Sequence, residues 1–172
     1  MEKKYTVIDW LVHLSKSFKD IGATDPFCAI WLIACGIELI GECICTDSVG
    51  SSNGSRTKFD TAINTIPAFQ EYRSYPGKLY HDLRCGLAHA ATPDGGLLLK
   101  RKGKNEFNLT SKRNIISFEQ LAADFSAAVQ QLQSNVVNVP EGRLESYYIS
   151  IIEESDDKEG GITGSTKNIC SK

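Results

Sequence analysis

The sequence predicts an all-α protein: a five- or six-helix, up-and-down-type bundle with a small β-hairpin inserted between helices four and five. Three observations indicate this class. Apolar residues recur at helical spacing in several separate segments. The stretch from Pro26 to Cys45 is apolar on nearly all sides, which predicts the most buried helix of the bundle. Two short extended runs flank Gly103, Lys104 and Asn105, a pattern typical of a hairpin.

The length and composition indicate one globular domain. A chain of 172 residues is long enough for a self-sufficient core, and its 41% hydrophobic and 23% charged residues are ordinary values. We expect residues 1–152 to form the bundle, with the hairpin insertion at about 95–116, and residues 153–172 to be a flexible polar tail. The formal net charge of -2 excludes a global basic field, so contact with a nucleic acid needs a local basic patch.

The apolar segments favour a cytoplasmic protein. The N-terminal segment is interrupted by charges and lacks a small-residue cleavage site, so it does not read as a secretory signal. The stretch from Pro26 to Cys45 is long enough to cross a bilayer, but Glu38 and Glu42 near one end favour a buried helix. We therefore expect no membrane contact.

The cysteines predict neither disulfides nor a metal site. Four of the six lie on that apolar stretch, where positions on one helix are poorly placed to bridge one another, so reduced thiols are expected. The spacing of Cys35, Cys43 and Cys45 lacks the paired knuckles of structural zinc sites. No metal and no other cofactor is expected.

The first three helices follow from periodicity and turn signals. Helix one is expected over residues 5–20. Asp25 before Pro26 is a capping signal for the start of helix two. After an exposed loop over residues 46–55, a third helix is expected, which Pro67 kinks or ends.

Two further helices complete the predicted bundle. Helix four should begin near Pro76 and stop before Pro93, with an apolar stripe of Leu79, Tyr80, Leu83 and Leu87. Ser117 and Glu119 open helix five as capping residues. The inner side of that helix should carry Phe118, Leu121, Phe125, Ala128, Val129 and Leu132. Residues 141–154 are compatible with a sixth helix or an edge strand.

The stretch from Lys78 to Gly96 concentrates residues with functional chemistry. It holds two of the three histidines, His81 and His89, together with Arg84 and Cys85. A guanidinium group binds phosphate oxygens in a fork, and a histidine that titrates near neutrality can transfer a proton. On an ideal helix Arg84 and His89 point about 140° apart. They could still converge in a groove, because His89 lies near the helix end and Arg84 has a long reach.

The residues LRCGLAH, from Leu83 to His89, resemble the R-x4-6-H motif of the HEPN superfamily, a class of all-helical domains. The resemblance extends to Leu79 and Tyr80 before the motif and to Ile37 and Glu38 within helix two. Residues 5–136 would be the comparable bundle. Catalytic members of the superfamily are metal-independent ribonucleases, and they include many toxin and antiviral-defence proteins.

The resemblance implies a role for each motif residue. Arg84 would orient or charge-stabilise the scissile phosphate, and His89 would act as general base or acid while the RNA 2′-hydroxyl attacks. His81, Asp82 and Glu38 would be accessory residues. Such domains commonly pair so that two motifs line one cleft, so the resemblance also implies a homodimer, with RNA as ligand and an antitoxin or another protein as partner.

A non-catalytic alternative stays open. Arg84 could form an ion pair with Glu38 or Glu42, and His89 could cap its own helix end. Many catalytic members have a polar residue after the motif arginine, where this chain has Cys85. The chain would then be a dimerisation, nucleotide-binding or partner-docking module. An Arg84 buried against Glu38 would favour this alternative, whereas Arg84 and His89 exposed together between two copies would favour the nuclease.

The densest positive patch of the sequence follows the motif. It consists of Lys100, Arg101, Lys102 and Lys104, with Lys112 and Arg113 beyond. Such a cluster is compatible with a solvated hairpin or with an RNA-backbone contact next to the motif. We expect the first four residues to bind RNA.

Overall fold

The described part of the chain is mostly helical and contains two small pairs of strands. A computed structural model describes residues 2–45, 54–75, 79–87, 96–107 and 114–152. The predicted tail, 153–172, and residues 46–53 of the predicted loop lie outside the described residues. The helices are α1 (Val7–Thr24), α2 (Pro26–Ile44), α3 (Ser55–Thr65), a 3₁₀ helix (Pro67–Ser74), α4 (Tyr80–Cys85) and α5 (Phe118–Gln133). The strands are β1 (Glu2–Thr6), β2 (Leu97–Lys100), β3 (Asn114–Ser117) and β4 (Tyr147–Ile152).

Side-chain caps define where the first two helices begin. The Thr6 hydroxyl accepts a hydrogen bond from the Asp9 N–H, and the Asp9 carboxylate accepts one from the Thr6 N–H, which forms a capping box. The Asp25 carboxylate accepts hydrogen bonds from the N–H groups of Phe27 and Cys28, both at 3.0 Å. The predicted capping signal before Pro26 is therefore confirmed.

Helix α2 is the centre of the core. Its inner residues Ile33, Ile37 and Ile40 are fully buried, and it packs against α1, α3 and α5. By length and composition, α2 could cross a membrane, and among the described residues it alone meets both criteria. However, 56% of its most apolar window is buried inside the fold. Much of its apolar surface is thus already covered by the neighbouring helices.

Glycines let the neighbours approach α2 closely. A Cβ atom built on Gly41 would lie 1.7 Å from the carbonyl oxygen of Lys58, so no side chain fits between α2 and the backbone of α3. A Cβ on Gly36 would lie 2.6 Å from the ring of Phe125 on α5. These two contacts fix how α3 and α5 sit against the central helix.

The inner face of α5 matches the prediction, whereas its predicted cap does not. All six predicted inner residues are buried. Ser117 occupies the capping position, but its side chain makes no cap hydrogen bond. Its hydroxyl is buried and has no hydrogen-bond partner among the described residues. The Ser117 N–H instead donates to the Asn105 side-chain oxygen at 2.9 Å, which holds the residue in the strand before the helix.

The predicted hairpin is wrong. Strands β2 and β3 pair in parallel, with Leu97 opposite Asn114 and Lys100 opposite Ser117. The chain turns at Gly103, where φ is +99°, and Glu106 then forms an isolated antiparallel bridge with Ile115. A parallel pair needs a connection of about a dozen residues or more, and residues 101–113 supply it. The first extended run is confirmed as β2, but its partner β3 lies further along the chain, and residues 108–110 of the second run lie outside the described residues.

The two ends of the described chain pair with each other. Strand β1 lies antiparallel to β4, with Glu2 opposite Ile152 and Tyr5 opposite Ile149. Of the two possibilities for residues 141–154, the edge strand is confirmed for Tyr147–Ile152. The sequence did not predict β1, and its last two residues, Tyr5 and Thr6, were wrongly assigned to helix one, which begins at Val7.

Candidate functional site

Helix α4 carries Arg84 in a widened helical register. Residues 80–85 have π-helical geometry, and the Gly86 N–H donates to the carbonyl oxygen of His81, five residues earlier, as well as to that of Leu83. The 100° step used to place Arg84 on an ideal helix is therefore not valid in this turn. Such π-turns are rare and frequently occur at functional sites. His89 lies outside the described residues.

Apolar contacts anchor this helix against the core. Leu79, Leu83 and Leu87 are buried, which confirms three of the four residues of the predicted stripe. Tyr80 is half-buried, and its ring packs edge-on against Phe59 of α3, with 5.6 Å between the ring centroids. Of the polar residues between these anchors, His81 is exposed and Arg84 is half-buried, whereas Asp82 is buried.

Arg84 forms an ion pair with Glu38 of α2. The guanidinium Nε donates to the Glu38 carboxylate at 3.0 Å, and 24% of the Arg84 side chain and 19% of the Glu38 side chain are exposed. The predicted partnership is confirmed for Glu38, whereas Glu42 pairs with Lys58 at 3.3 Å. Within the described part of the chain, the two terminal nitrogens of Arg84 have no hydrogen-bond partner. The pair is thus at the surface and not fully buried.

Cys35 is a third member of this cluster, which sequence reasoning did not assign to it. It lies three residues before Glu38, and therefore next to it on α2. Burial raises the pKa of the Cys35 thiol, and this outweighs the lowering by the positive charge of Arg84. Burial acts to lower the pKa of Arg84, but the neighbouring Cys35, Glu38 and Tyr80 raise it overall. Arg84 thus stays charged beside a neutral thiol at ordinary pH.

The two other predicted accessory residues lie together on the other side of α4. Asp82 is 7% exposed, and its carboxylate accepts a hydrogen bond from the Tyr75 hydroxyl at 2.7 Å. The His81 Nδ1 lies 3.3 Å from the second Asp82 oxygen, while 59% of the His81 side chain is exposed. Asp82 therefore links α4 to the end of the 3₁₀ helix, and His81 faces solvent beside it.

The residue after the motif arginine contacts a tyrosine. Burial raises the pKa of Tyr80, and hydrogen bonding and charge from the Cys85 thiol raise it further. Tyr80 and Cys85 are five residues apart, so the π-turn brings their side chains together. Cys85 thus has a local partner in this structure, and it is half-buried.

The predicted basic cluster lies at the surface after β2. Lys100 pairs with Glu106, and the terminal guanidinium nitrogen of Arg101 donates to the carbonyl oxygen of Ala23 at 3.2 Å. Lys102 and Lys104 are exposed, and neither has an ion-pair partner among the described residues. Lys112 and Arg113 lie outside the described residues.

The described residues contain no group of three or more His, Cys, Asp or Glu side chains placed to hold a metal ion. Their five cysteines, at positions 28, 35, 43, 45 and 85, are free thiols. Burial raises the pKa of Cys43 to about 12, so this thiol behaves as a small apolar group.

Comparisons of the chain with models of protein families, with curated proteins and with solved structures found no match. The likeness to the HEPN superfamily stays a prediction that rests on the residues around Arg84 and His89.

Proposed function

We propose that the protein is a HEPN-like, metal-independent endoribonuclease of toxin or defence type. Helices α1 to α5 would form the HEPN-like bundle, with the strand pair β2–β3 as an insertion. The observation that carries the proposal is the position of the Arg84 side chain. Its Nε is fixed on Glu38, while part of its side chain is exposed next to the helix end that leads to His89.

This arrangement suits a phosphate. A guanidinium group recognises two oxygens of one phosphate through parallel N–H groups. The contact with Glu38 uses the Nε of Arg84, so its terminal nitrogens have no partner among the described residues. The carboxylate reduces the rotational freedom of the side chain, which lowers the entropy that RNA binding would cost.

The reaction would be a transesterification within the RNA strand. A bond forms between the 2′-oxygen and phosphorus, and the bond from phosphorus to the 5′-oxygen of the next nucleotide breaks. The 2′-proton passes to a histidine that acts as general base, and the departing 5′-oxygen receives a proton. A 2′,3′-cyclic phosphate and a 5′-hydroxyl remain. His89 of one copy of a homodimer would supply the base, and Arg84 of the other copy would stabilise the charge on the phosphoryl oxygens, while the departing oxygen takes its proton from solvent.

The non-catalytic alternative is favoured by a specific observation. The Glu38 carboxylate at 3.0 Å compensates the charge of Arg84, and the pair connects α2 to α4. An arginine used in this way stabilises the fold and leaves less positive charge for RNA. The chain would then serve as a dimerisation, nucleotide-binding or partner-docking module.

RNA cleavage without metal separates the two functions. The purified protein is incubated with single-stranded RNA in EDTA, and the products are analysed for cyclic phosphate ends. The nuclease proposal predicts cleavage that falls at least a hundredfold in Arg84→Ala and in His89→Ala proteins, because both charge stabilisation and proton transfer would be lost.

Matched variants control for purity and folding. Arg56→Ala removes an exposed arginine of α3, and His13→Ala removes an exposed histidine of α1, and both should cleave like the wild type. Intact RNA with the wild type, or cleavage that persists in the Arg84 and His89 variants, would reject the nuclease. The alternative predicts that Arg84→Ala lowers thermal stability or partner binding and changes no cleavage.

The biological setting is part of the same proposal. A cytoplasmic toxin or defence ribonuclease arrests growth when its partner, such as an antitoxin, is absent. Inducible expression in a bacterial host should therefore stop growth, and the Arg84→Ala protein, made at the same level, should not. Equal growth of both cultures would contradict this setting.

A further inference from the structure

Two aromatic side chains are exposed on the central helix. Phe27 is 51% exposed and Trp31 is 40% exposed, and Cys28 beside them is exposed too, although α2 supplies much of the core. The two rings are four residues apart and so lie one above the other on the same face. Two neighbouring exposed rings at this uncovered end of α2 indicate a binding surface more than a chance arrangement.

The first two residues of the basic cluster, Lys100 and Arg101, adjoin the Phe27 ring. Phe27 lines a shallow pocket of about 40 Å³ together with Pro26, Ile30, Leu99, Lys100 and Arg101. This volume is far below the roughly 300 Å³ at which pockets for enclosed small molecules begin. The nearby carboxylate of Asp25 is engaged by backbone N–H groups at the helix start. The surface therefore combines flat apolar groups with positive charge.

The same face of α2 leads to the candidate site. Cys35 follows Trp31 at the next four-residue step, and Glu38, the partner of Arg84, follows three residues later. At 1.5 Å per residue, Phe27 and Glu38 are about 16 Å apart along the helix. That distance corresponds to about five stacked nucleotides at 3.4 Å each, or to fewer in an extended strand. A strand held at Phe27 could reach Arg84.

We propose that Phe27 and Trp31 form a stacking platform for the bases of single-stranded RNA, while Arg101, Lys102 and Lys104 bind its phosphates and guide the strand along α2 to Arg84. The proposal rests on the proposed function for its end point at Arg84. Aromatic rings bind bases of any sequence, and lysine and arginine hold the backbone, which is the usual combination in single-strand binding sites. A duplex hides its base faces and cannot use the rings.

A second copy of the chain is a less suitable occupant. Burying the rings of two copies against each other would bring two basic clusters of like charge together, which is unfavourable. An RNA strand supplies both the base faces and the negative charge that this surface lacks.

Binding is measured separately from cleavage. The probe is a fluorescein-labelled 12-nucleotide single-stranded RNA with 2′-O-methyl groups, which lack the attacking hydroxyl, and the protein is the full chain. Fluorescence anisotropy should show that Phe27→Ala/Trp31→Ala weakens binding at least tenfold, since each stacked base is worth roughly 5- to 150-fold. Trp31→Phe should stay within threefold of the wild type, because a ring remains.

The salt dependence identifies the lysines that bind phosphates. Lys102→Ala/Lys104→Ala should reduce the slope of log affinity against log salt by about 1.4, because each phosphate that a lysine neutralises adds about 0.7 to that slope. Phe27→Ala/Trp31→Ala should leave the slope unchanged. Lys16→Ala/Lys19→Ala on α1 and Val136→Ala after α5 are matched surface controls and should bind like the wild type.

The outcomes distinguish this inference from the nuclease proposal. Ring-dependent binding without cleavage of unmodified RNA rejects the nuclease and supports the platform. Cleavage with unchanged binding in Phe27→Ala/Trp31→Ala rejects the platform alone. Equal affinity for a duplex of the same sequence, or loss of dimers in the double variant without loss of RNA binding, also rejects the platform. No RNA binding by the wild type rejects both.

Discussion

Glu38 holds the guanidinium group of Arg84 in one position through the hydrogen bond to its Nε. Because the pair is partly exposed, it contributes at most about 1 kcal/mol to the free energy of unfolding. We predict that Glu38→Ala lowers kcat for RNA cleavage about tenfold, a loss of about 1.4 kcal/mol of transition-state stabilisation, while the melting temperature changes little. Glu38→Gln should retain most of kcat, since the amide oxygen still accepts the Nε hydrogen bond.

The matched control for this prediction is on the same helix. Glu42→Ala removes the carboxylate that pairs with Lys58 and should leave kcat unchanged. A fall in melting temperature of Glu38→Ala with no effect on kcat would instead assign Glu38 a purely structural role.

Ser117 is the residue at which local sequence signals and tertiary packing conflict. A lost capping hydroxyl costs about 1 kcal/mol, but this hydroxyl is buried without a partner in the described structure. We predict that Ser117→Ala leaves the free energy of unfolding unchanged or raises it by up to about 1 kcal/mol, because an unsatisfied polar group is removed. Urea unfolding measures the change.

Thr6→Ala is the matched control for Ser117→Ala, since the Thr6 hydroxyl does form a capping box. It should lower the free energy of unfolding by about 1 kcal/mol. A similar loss in Ser117→Ala would show that its hydroxyl is satisfied after all.

At the scale of elements, the contact between α2 and α3 depends on one glycine. A methyl group on Gly41 would meet the Lys58 carbonyl at 1.7 Å, and backbone atoms cannot turn aside as a side chain can. We predict that Gly41→Ala lowers the free energy of unfolding by about 3 kcal/mol, the upper range for overpacking. Calorimetry should show a melting temperature lower by about 6 to 12 °C.

Gly54→Ala is the matched control for Gly41→Ala. Gly54 precedes α3, and a Cβ atom there meets no heavy atom within 4 Å. Its melting temperature should stay within about 2 °C of the wild type. An unchanged melting temperature in Gly41→Ala would contradict the close approach, because alanine otherwise favours a helix more than glycine does.

The helices could be predicted from sequence because each is specified by residues near one another. Periodicity and the Asp25 cap placed α2 within one residue of its observed end. The pairing of β2 with β3 and of β1 with β4 could not be predicted, because nothing local to a strand specifies a distant partner. The π-turn was missed for a related reason. Periodicity assumes a regular helix, so it cannot reveal a turn with a widened register.

The ion pair was partly predictable. An arginine on one predicted helix and two glutamates on another limited Arg84 to Glu38 or Glu42, and only the relative position of the helices could choose between them. The exposed aromatic residues could not be predicted, because their exposure too depends on the relative position of the helices. Phe27 and Trp31 belong to an apolar run, and which of its residues face solvent depends on the covering helices.

For the molecule as a whole, the proposed dimer makes a quantitative prediction. If each catalytic cleft takes Arg84 from one chain and His89 from the other, mixing inactive Arg84→Ala and His89→Ala proteins creates one intact cleft in each heterodimer. Random exchange should restore about a quarter of the wild-type rate, since half of the dimers are mixed and each has one of two clefts. Light scattering after chromatography verifies the dimer.

The double variant Arg84→Ala/His89→Ala is the control for the mixing experiment. Mixed with either single variant, it supplies no intact pair, so no activity should return. No recovery in the first mixture, despite labelled subunits that exchange, would mean that each chain carries a complete site.

The pairing of β1 with β4 brings the first and last described residues next to each other. Glu2 lies opposite Ile152, so the two ends leave the fold at the same edge. A fusion partner attached directly to Glu2 or to Ile152 would therefore start from one place, and residues 2–152 could be inserted into a surface loop of another protein whose two ends lie close together. Two copies joined in tandem would need only a linker that spans the distance between these edges. Such a single-chain dimer would allow one motif to be altered at a time.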